Sequence, residues 1–271
     1  MKTALSIAGS DCSGGAGIQA DLKAFAAHGV FGMSAVTSVV AENTFRVVSY
    51  QDVSPTLIAE QLDAIFEDIP PHATKIGMLS TRETMLIVAK KLRELSPKNV
   101  VIDPVMYAKN GAALMDPSSI DTLIAEIAPL ADVITPNIPE AEQMTGLTIT
   151  TLDDMKLAAT RIHAMGARAV IVKGGHLTGD AVDLLFDGTT FTTYPAPRVD
   201  TKHTHGTGCT FSSAIAANLA LGHPIAESVR RAKAYIHTAI IHAPKLGRGH
   251  GPTHHFYDLY QSHFGDTIDE T

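Results

Sequence analysis

His205-Gly206-Thr207-Gly208-Cys209-Thr210-Phe211-Ser212-Ser213-Ala214 is a glycine-rich turn that runs straight into an alanine-rich helical pattern. Glycines let backbone N–H groups crowd toward one point, and a helix start adds unpaired donors and about half a positive charge. Such a turn is an anion site by construction, and a phosphate fits it. Cys209 stands at the positive end, where a thiolate is stabilised and the pKa is expected below the free value of about 8.5. A thiolate there can act as base toward a substrate hydroxyl. Two other readings remain open: a tight turn beside a small buried thiol, or a nucleophilic thiol with His205 as its nearby histidine partner.

A second glycine-rich stretch, Gly9 to Asp21, follows the first apolar run. Gly15-Ala16-Gly17-Ile18-Gln19-Ala20 matches the G-x-G-x-x-A pattern of a dinucleotide fold, with Glu42 available for ribose hydroxyls. The fit is poor, because that fingerprint opens almost directly after its strand and Gly15 lies six positions beyond Gly9. The start of the stretch also looks like a P-loop, but Gly15 and Ala16 stand where Lys and Ser or Thr are needed. A loop that caps the next helix is the plain alternative.

Polar residues cluster at the predicted carboxyl ends of strands: Asp103, Asn137, Glu140 and Lys173. In an open α/β sheet that edge is where ligands sit. Asp103, Asn137 and Glu140 offer hard oxygen ligands for magnesium, directly or through water, and Lys173 offers a positive charge to a transferring phosphate. Each alone reads equally well as a helix cap or a snorkelling side chain. Beside the glycine-rich turn they describe a phosphoryl-transfer site.

Short apolar runs at 3–8, 34–40, 74–78, 99–103, 132–135 and 168–173 predict the strands that position these residues. Helical spacing at 15–28, 55–67, 82–95 and 152–165 predicts the crossovers. Ala181 to Phe186, Asp187-Gly188 and Phe191 to Tyr194 read as a hairpin, and about 210 to 243 as two helices separated by Gly222-His223-Pro224. The alternation implies βαβ units around a mainly parallel sheet. With no linker or repeat, residues 1–271 read as one domain, with disorder expected after about 258.

The 271 residues carry 21 Lys and Arg against 28 Asp and Glu, a net charge of −7, which argues against a broad grip on nucleic acid or anionic lipid. No apolar run reaches the roughly 18 residues of a membrane span, and Met1 to Ala8 reads as a strand, not a signal peptide. A cytoplasmic protein is expected, with Cys12 and Cys209 as thiols. His203-x-His205 and His254-His255 lack the spacing and cysteine partners of a zinc site.

Taken in order, Ala8-Gly-Ser-Asp-x-Ser-Gly-Gly-Ala-Gly-Ile-Gln-Ala-Asp-Leu-Lys23, Lys75-Ile-Gly-Met-Leu79, Asp103-Pro-Val-Met106, Thr135-Pro-Asn137, Lys173-Gly-Gly-His176, Thr204-His-Gly-Thr-Gly-Cys-Thr210 and Gly251-Pro-Thr-His-His255 resemble the hydroxymethylpyrimidine/phosphomethylpyrimidine kinases of thiamine biosynthesis, in the ribokinase superfamily. The likeness runs from about residue 4 to 257. It implies a three-layer α/β/α kinase that uses ATP and magnesium. Its substrate would be 4-amino-5-hydroxymethyl-2-methylpyrimidine, phosphorylated on the hydroxymethyl group and then again on the monophosphate. By motif, Cys209 is the implied base, and Gly206, Thr207 and Gly208 the implied anion hole. Lys173 would meet the ATP phosphates, with Asn137 and Glu140 near magnesium and Asp103 in the same cluster. Gly9, Asp21, Glu42, Met78 and Val105 would line the pyrimidine pocket. Such kinases are often homodimers.

Two departures bear on the substrate. Well-known members commonly carry glutamine at the position of Glu42; an amide both donates and accepts, whereas a carboxylate only accepts. Glu42 is therefore expected to bind with its carboxyl or the ring protonated, so that binding weakens as pH rises. Some related kinases acting on pyridoxal have a second cysteine in the segment Tyr107 to Gly111, where Ala108 stands here. A vitamin B6 kinase is the nearest rival; an NAD-dependent oxidoreductase and a non-catalytic nucleotide-binding module are the others. The Gly247 to His255 segment belongs to the likeness but has no evident role.

Overall fold

Thr3–Ala8 forms β1, and every residue from Ala4 onward is buried. In the computed structural model, which describes residues 1–108, 111–175 and 180–265, it lies near one edge of an eight-stranded sheet. Lys109, Asn110, His176 and the last residues of the tail lie outside the described residues. After β1 come α1 (Gly17–Ala27), β2 (Phe31–Val36), β3 (Ser38–Asn43), β4 (Arg46–Asp52), α2 (Pro55–Asp68), β5 (Ala73–Ile76), α3 (Arg82–Leu95) and β6 (Val100–Ile102). Mixed helical turns from Pro117 to Leu130, around the short α4 (Ile120–Thr122), lead to β7 (Val133–Ile134). The chain continues through α5 (Ile138–Thr145), α6 (Leu152–Ala164), β8 (Val170–Val172), β9 (Asp183–Phe186), β10 (Phe191–Tyr194), α7 (Thr207–Ala220), α8 (Ile225–Ile241) and α9 (Tyr257–Phe264).

The strand order is β10-β9-β8-β7-β6-β5-β1-β2. All pairs from β8 to β2 are parallel, and β9 and β10 add an antiparallel edge. Parallel strands buried on both faces need apolar side chains at every position, and successive residues then face opposite cores. Leu5, Ile7, Ile76, Val100, Ile102 and Ile134 join one core with Ile58, Leu62, Met85 and Met155. Their strand neighbours Ala4, Ala73, Val101 and Val133 join the other, with Phe25, Phe211, Ile215 and Val229. Helices thus cover both faces, giving the expected three-layer α/β/α sandwich. Each fully buried Leu or Ile contributes about 1.5–3 kcal/mol. α7 is buried from Thr210 through Ala220; its run of small side chains lets α1 and α8 pack closely against it.

The predicted strand 34–40 is in fact a junction. Thr37 donates its N–H to Ala8 O (3.0 Å) and its hydroxyl to Met78 O (2.9 Å), and its carbonyl accepts from Val53 N–H (2.9 Å). The chain turns out of the main sheet there, and β3 pairs with β4 as a separate two-stranded hairpin. Sequence periodicity also misses α5, although Asn137 and Glu140 form a full capping box at its start. In the tail, α9 carries a ring cluster, with His242 stacked on Tyr257 at 3.6 Å and Tyr260 edge-on to Phe264.

Candidate active site

Strand carboxyl ends and the start of α7 enclose a cavity of about 520 Å³. Its lining includes Gly9, Glu42, Met78 and Val105 as well as Asp103, Asn137, Glu140, Lys173, Gly206, Thr207, Gly208 and Cys209. Every predicted site residue reaches the cavity except Asp21. That carboxylate is fully buried beneath it, accepting from Ser6 Oγ (2.6 Å), Ser213 Oγ (2.7 Å) and the Lys75 ammonium (2.8 and 2.9 Å). α1 turns Asp21 toward the sheet, where the buried Lys75 demands a counter-charge. Burial alone would depress the Lys75 pKa, but Asp21 and, more weakly, Cys209 and Asp103 lift it above its ordinary range.

The anion turn is shaped by two glycines. Gly206 caps α7 with φ +74, and a Cβ there would run into the carbonyl of Gly15. Thr207 spends its hydroxyl on Thr204 O (2.8 Å), which leaves the amides of Gly208 and Cys209 as helix-start donors. A Cβ on Gly208 would lie 3.2 Å from Asp103 Oδ2 and 3.4 Å from Lys173 Nζ. Those two side chains form an ion pair of 2.7 Å, and Thr135 Oγ1 donates to the same Asp103 oxygen at 3.1 Å. Burial opposes the Lys173 charge, yet Asp103 and Glu140 hold its pKa above the usual value.

The trio expected for magnesium is not a closed cage. Asn137 Oδ1 accepts Glu140 N–H (2.9 Å) and Glu140 Oε2 accepts Asn137 N–H (2.8 Å), so the two residues cap α5 as well as facing the cavity. Burial pushes the Glu140 carboxyl up to about 7, against the pull of Lys173 and with help from Asp103. Asp103 Oδ2, facing Gly208, and Glu140 are hard oxygen donors of the kind that hold magnesium partly through water.

The expected fall in the Cys209 pKa is overturned. Burial pushes the thiol up to about 11; Lys75 and a hydrogen bond from Gly17 N–H work against this, and the Asp21 and Asp103 carboxylates add to it. Loss of water and two nearby carboxylates outweigh Lys75 and the Gly17 N–H. Nor is His205 a partner for the thiol. Its Nε2 lies 2.8 Å from Asp11 Oδ2, and the ring packs against Gly15.

Asp11 organises the first glycine-rich loop, a role the sequence patterns did not reveal. Its carboxylate accepts N–H bonds from Ser13 (2.7 Å), Gly15 (2.9 Å) and Ala16 (2.7 Å). Burial works against ionisation, but His205 and these donors hold the carboxyl well below the usual carboxylate range. Asp11, Glu42 and His205 bring their side-chain tips within 4.8 Å of one another. Glu42 is consequently raised to about 7, by burial and by the Asp11 charge, with His205 opposing. Also unpredicted in the lining are the apolar residues Ala181, Ala196, Pro197, Val199, Ile236 and Ile240, with Arg198 and His237 among them. Lys233, paired with Asp183 at 2.7 Å, lines the cavity as well.

The profile of the family described as phosphomethylpyrimidine kinase matches residues 11–254. The hydroxymethylpyrimidine/phosphomethylpyrimidine kinase of Rhizobium meliloti is 52% identical over 259 residues, covering 94% of this chain and 97% of that one. A thiamine biosynthesis bifunctional protein of Geobacter sulfurreducens is 52% identical over 252 residues; the chain spans 51% of that protein's length. Among solved structures, an ADP complex of Bacillus subtilis pyridoxal kinase aligns with a TM-score of 0.90 at 43% identity, covering 96% of this chain and 99% of that one. The phosphomethylpyrimidine kinase of Clostridium difficile aligns with a TM-score of 0.80 at 47% identity over 89% of this chain and 100% of that one. An anion turn facing a lysine–aspartate pair, in a chain matched along nearly its whole length, is accounted for by one conclusion: this protein belongs to the phosphomethylpyrimidine kinase family of ribokinase-like enzymes.

Proposed function

We propose that this single kinase domain transfers the γ-phosphoryl group of ATP to the hydroxymethyl group of 4-amino-5-hydroxymethyl-2-methylpyrimidine, and then to the resulting monophosphate. The observation that carries this reading is the placement of the Gly206–Cys209 turn and the Lys173–Asp103 pair in one cavity with Glu42. Phosphoryl transfer needs positioning and charge neutralisation more than covalent chemistry. The helix-start amides of Gly208 and Cys209 hold the transferring group, and Lys173 neutralises it. Asp103 and Glu140, with Asn137, would hold magnesium, which supplies charge neutralisation between the phosphates when bound. The apolar lining residues Ile236 and Val199 suit a flat adenine. Gly9, Met78 and Val105 sandwich the pyrimidine, and Glu42 reads its amino edge as a protonated acid.

In the first transfer the acceptor oxygen bonds to phosphorus, the bond to the ADP oxygen breaks, and Cys209 takes the hydroxyl proton. Because the resting thiol is protonated at neutral pH, this role draws on its thiolate fraction, which grows with pH. The second acceptor is a phosphate oxygen that is already ionised near neutrality, so it has no proton to surrender.

A vitamin B6 kinase is the second reading, favoured by the likeness to the Bacillus subtilis pyridoxal kinase. Ala108, where some pyridoxal kinases carry a cysteine, favours the pyrimidines. We further propose a cytoplasmic homodimer; no helix among the described residues is long and apolar enough to cross a membrane. Val39, Val48 and Tyr50, exposed on the β3–β4 hairpin, support pairing with a second copy, and sedimentation at a monomer's mass would refute it. The deciding assay is ADP release with hydroxymethylpyrimidine, its monophosphate and pyridoxal at equal concentrations. Turnover on both pyrimidines is expected; turnover on pyridoxal alone would keep the fold and overturn the substrate.

A further inference from the structure

Gly247 to His255 runs between two parts of the cavity wall that come from opposite ends of the chain. On one side it grips the turn of the β3–β4 hairpin. Gly249 N–H donates to Thr44 Oγ1 (3.1 Å), His250 N–H donates to Thr44 O (2.7 Å), and the Arg248 guanidinium lies 5.2 Å above the Phe45 ring. On the other side it grips the approach to the anion turn. His205 N–H donates to Gly251 O (3.0 Å), Gly251 N–H donates to His203 Nδ1 (3.2 Å), and His250 Nδ1 lies 2.8 Å from Lys202 O. Farther along, His255 Nε2 meets Thr210 Oγ1 on the first turn of α7 at 3.0 Å.

Alternate glycines make this double contact possible. A Cβ on Gly249 would fall on the Thr44 carbonyl oxygen, and one on Gly251 would strike His203 Nδ1. One on Gly247 would meet both Thr44 Cγ2 and Thr44 Oγ1 at 2.5 Å. Only bare backbone passes between the two walls.

The hairpin needs such an anchor. A two-stranded sheet is marginal on its own, and β3 and β4 pair with no third strand. Ser10 holds its base, through Ser10 N–H to Ser38 O (2.8 Å) and Val40 N–H to Ser10 Oγ (3.2 Å). Cys12 Sγ donates to Glu42 O at 3.1 Å. The Glu42 carboxylate itself makes no hydrogen bond among the described residues, so the backbone that carries it decides where it stands. Thr44 is two residues away.

We propose that Gly247–Gly251 is a strap that fixes the distance between Glu42 and the anion turn, with Thr44 and Gly249 as positioning residues for the phosphoryl acceptor. The strap holds the acceptor's ring against one wall while the same backbone holds the turn that receives the phosphoryl group. Acceptor binding and the anion turn are therefore set in one register. This inference rests on Glu42 as an acceptor-binding residue.

The test is steady-state ADP release by the full chain, with KM for hydroxymethylpyrimidine and for ATP measured separately. Gly249→Ala pushes the Thr44 carbonyl away and is expected to raise the pyrimidine KM about tenfold while leaving the ATP KM within about twofold. Thr44→Val keeps the side-chain shape but removes one acceptor, and is expected to raise the same KM about threefold with an unchanged melting temperature. Thr44→Ala should recover part of the loss caused by Gly247→Ala, because the clash is with that side chain. Glu42→Ala is the control: an unchanged pyrimidine KM in that variant overturns the acceptor reading itself. If Glu42→Ala raises the KM but Thr44→Val does not, or if the strap variants raise both KM values equally, the strap is overturned alone. Thr44→Val decides the matter should Gly249→Ala fail to fold.

Discussion

Glu42 is carried by the two-stranded β3–β4 hairpin, whereas Asp103 and Lys173 follow strands of the eight-stranded sheet. On the hairpin, Val39 and Val48 are exposed and Glu42 is half-buried. Beneath the anion turn, Lys75, Asp21 and Ser213 are all fully buried and mutually bonded. The contrast separates two tasks. Charge stabilisation in a transition state benefits from groups that cost no reorganisation, and these come from the core. In the proposed function the edge of the flat ring is read by Glu42, on a surface element tied down at a few points, while Gly9, Met78 and Val105, after β1, β5 and β6, cover its faces.

The largest test of that division is Cys209→Ala. On the alcohol, kcat is expected to fall by roughly 10²- to 10⁴-fold, the usual range for loss of a general base. On the monophosphate, whose attacking oxygen carries no proton, the fall should be much smaller. Equal losses on both acceptors would make Cys209 a packing element of the phosphoryl wall, not a base.

Next in size is Lys75→Met, which strands the Asp21 carboxylate in the core. Breaking a buried pair from one side costs about 3–5 kcal/mol, readable as a shift in urea midpoint. The double variant carrying Asp21→Asn as well should regain much of that loss. A single variant as stable as the parent would mean that the core charges can relax, and the comparison between rigid and tethered walls would fail.

The smallest effect is a pH dependence that sets one wall against the other. With Cys209 raised to about 11, its thiolate fraction and kcat grow about tenfold per pH unit above neutrality. Glu42, raised to about 7, loses its proton over the same range, and pyrimidine affinity falls about tenfold per unit above that point. The two slopes cancel in kcat/KM, which should level above about pH 7 while kcat alone keeps climbing. Glu42→Gln, which cannot titrate, should remove the plateau and let kcat/KM climb with kcat. A plateau that survives the substitution would put the titrating group elsewhere.

How far the sequence could be read follows from the same physics. β1, the four crossover helices and the β9–β10 hairpin were legible because their periods reflect burial, and the Gly206–Gly208 turn because glycine leaves few alternatives. The break at Thr37 was not, since Ser34 to Val40 keeps a strand-like pattern while two backbone bonds and one hydroxyl divert the chain. Asn137 and Glu140 attract attention as ligands because they follow a predicted strand, yet their three-residue spacing is that of a capping box. Cys209 was placed correctly in the turn but assigned the wrong direction of pKa shift. The helix start is visible in the sequence, but Asp21 and Asp103 closing in from other elements are not.

The Asp11–His205 hydrogen bond spans 194 positions of chain. During synthesis the N-terminal loop therefore emerges early, and most of the polypeptide must follow before the histidine partner of Asp11 exists. Neither glycine-rich loop can take its final shape without the other, because Gly206 and Gly15 touch backbone to backbone. A chain stopped before Gly206 would own the proposed acceptor residues Gly9, Glu42, Met78 and Val105 but no anion turn, so the pocket is completed only when the two ends of the chain meet.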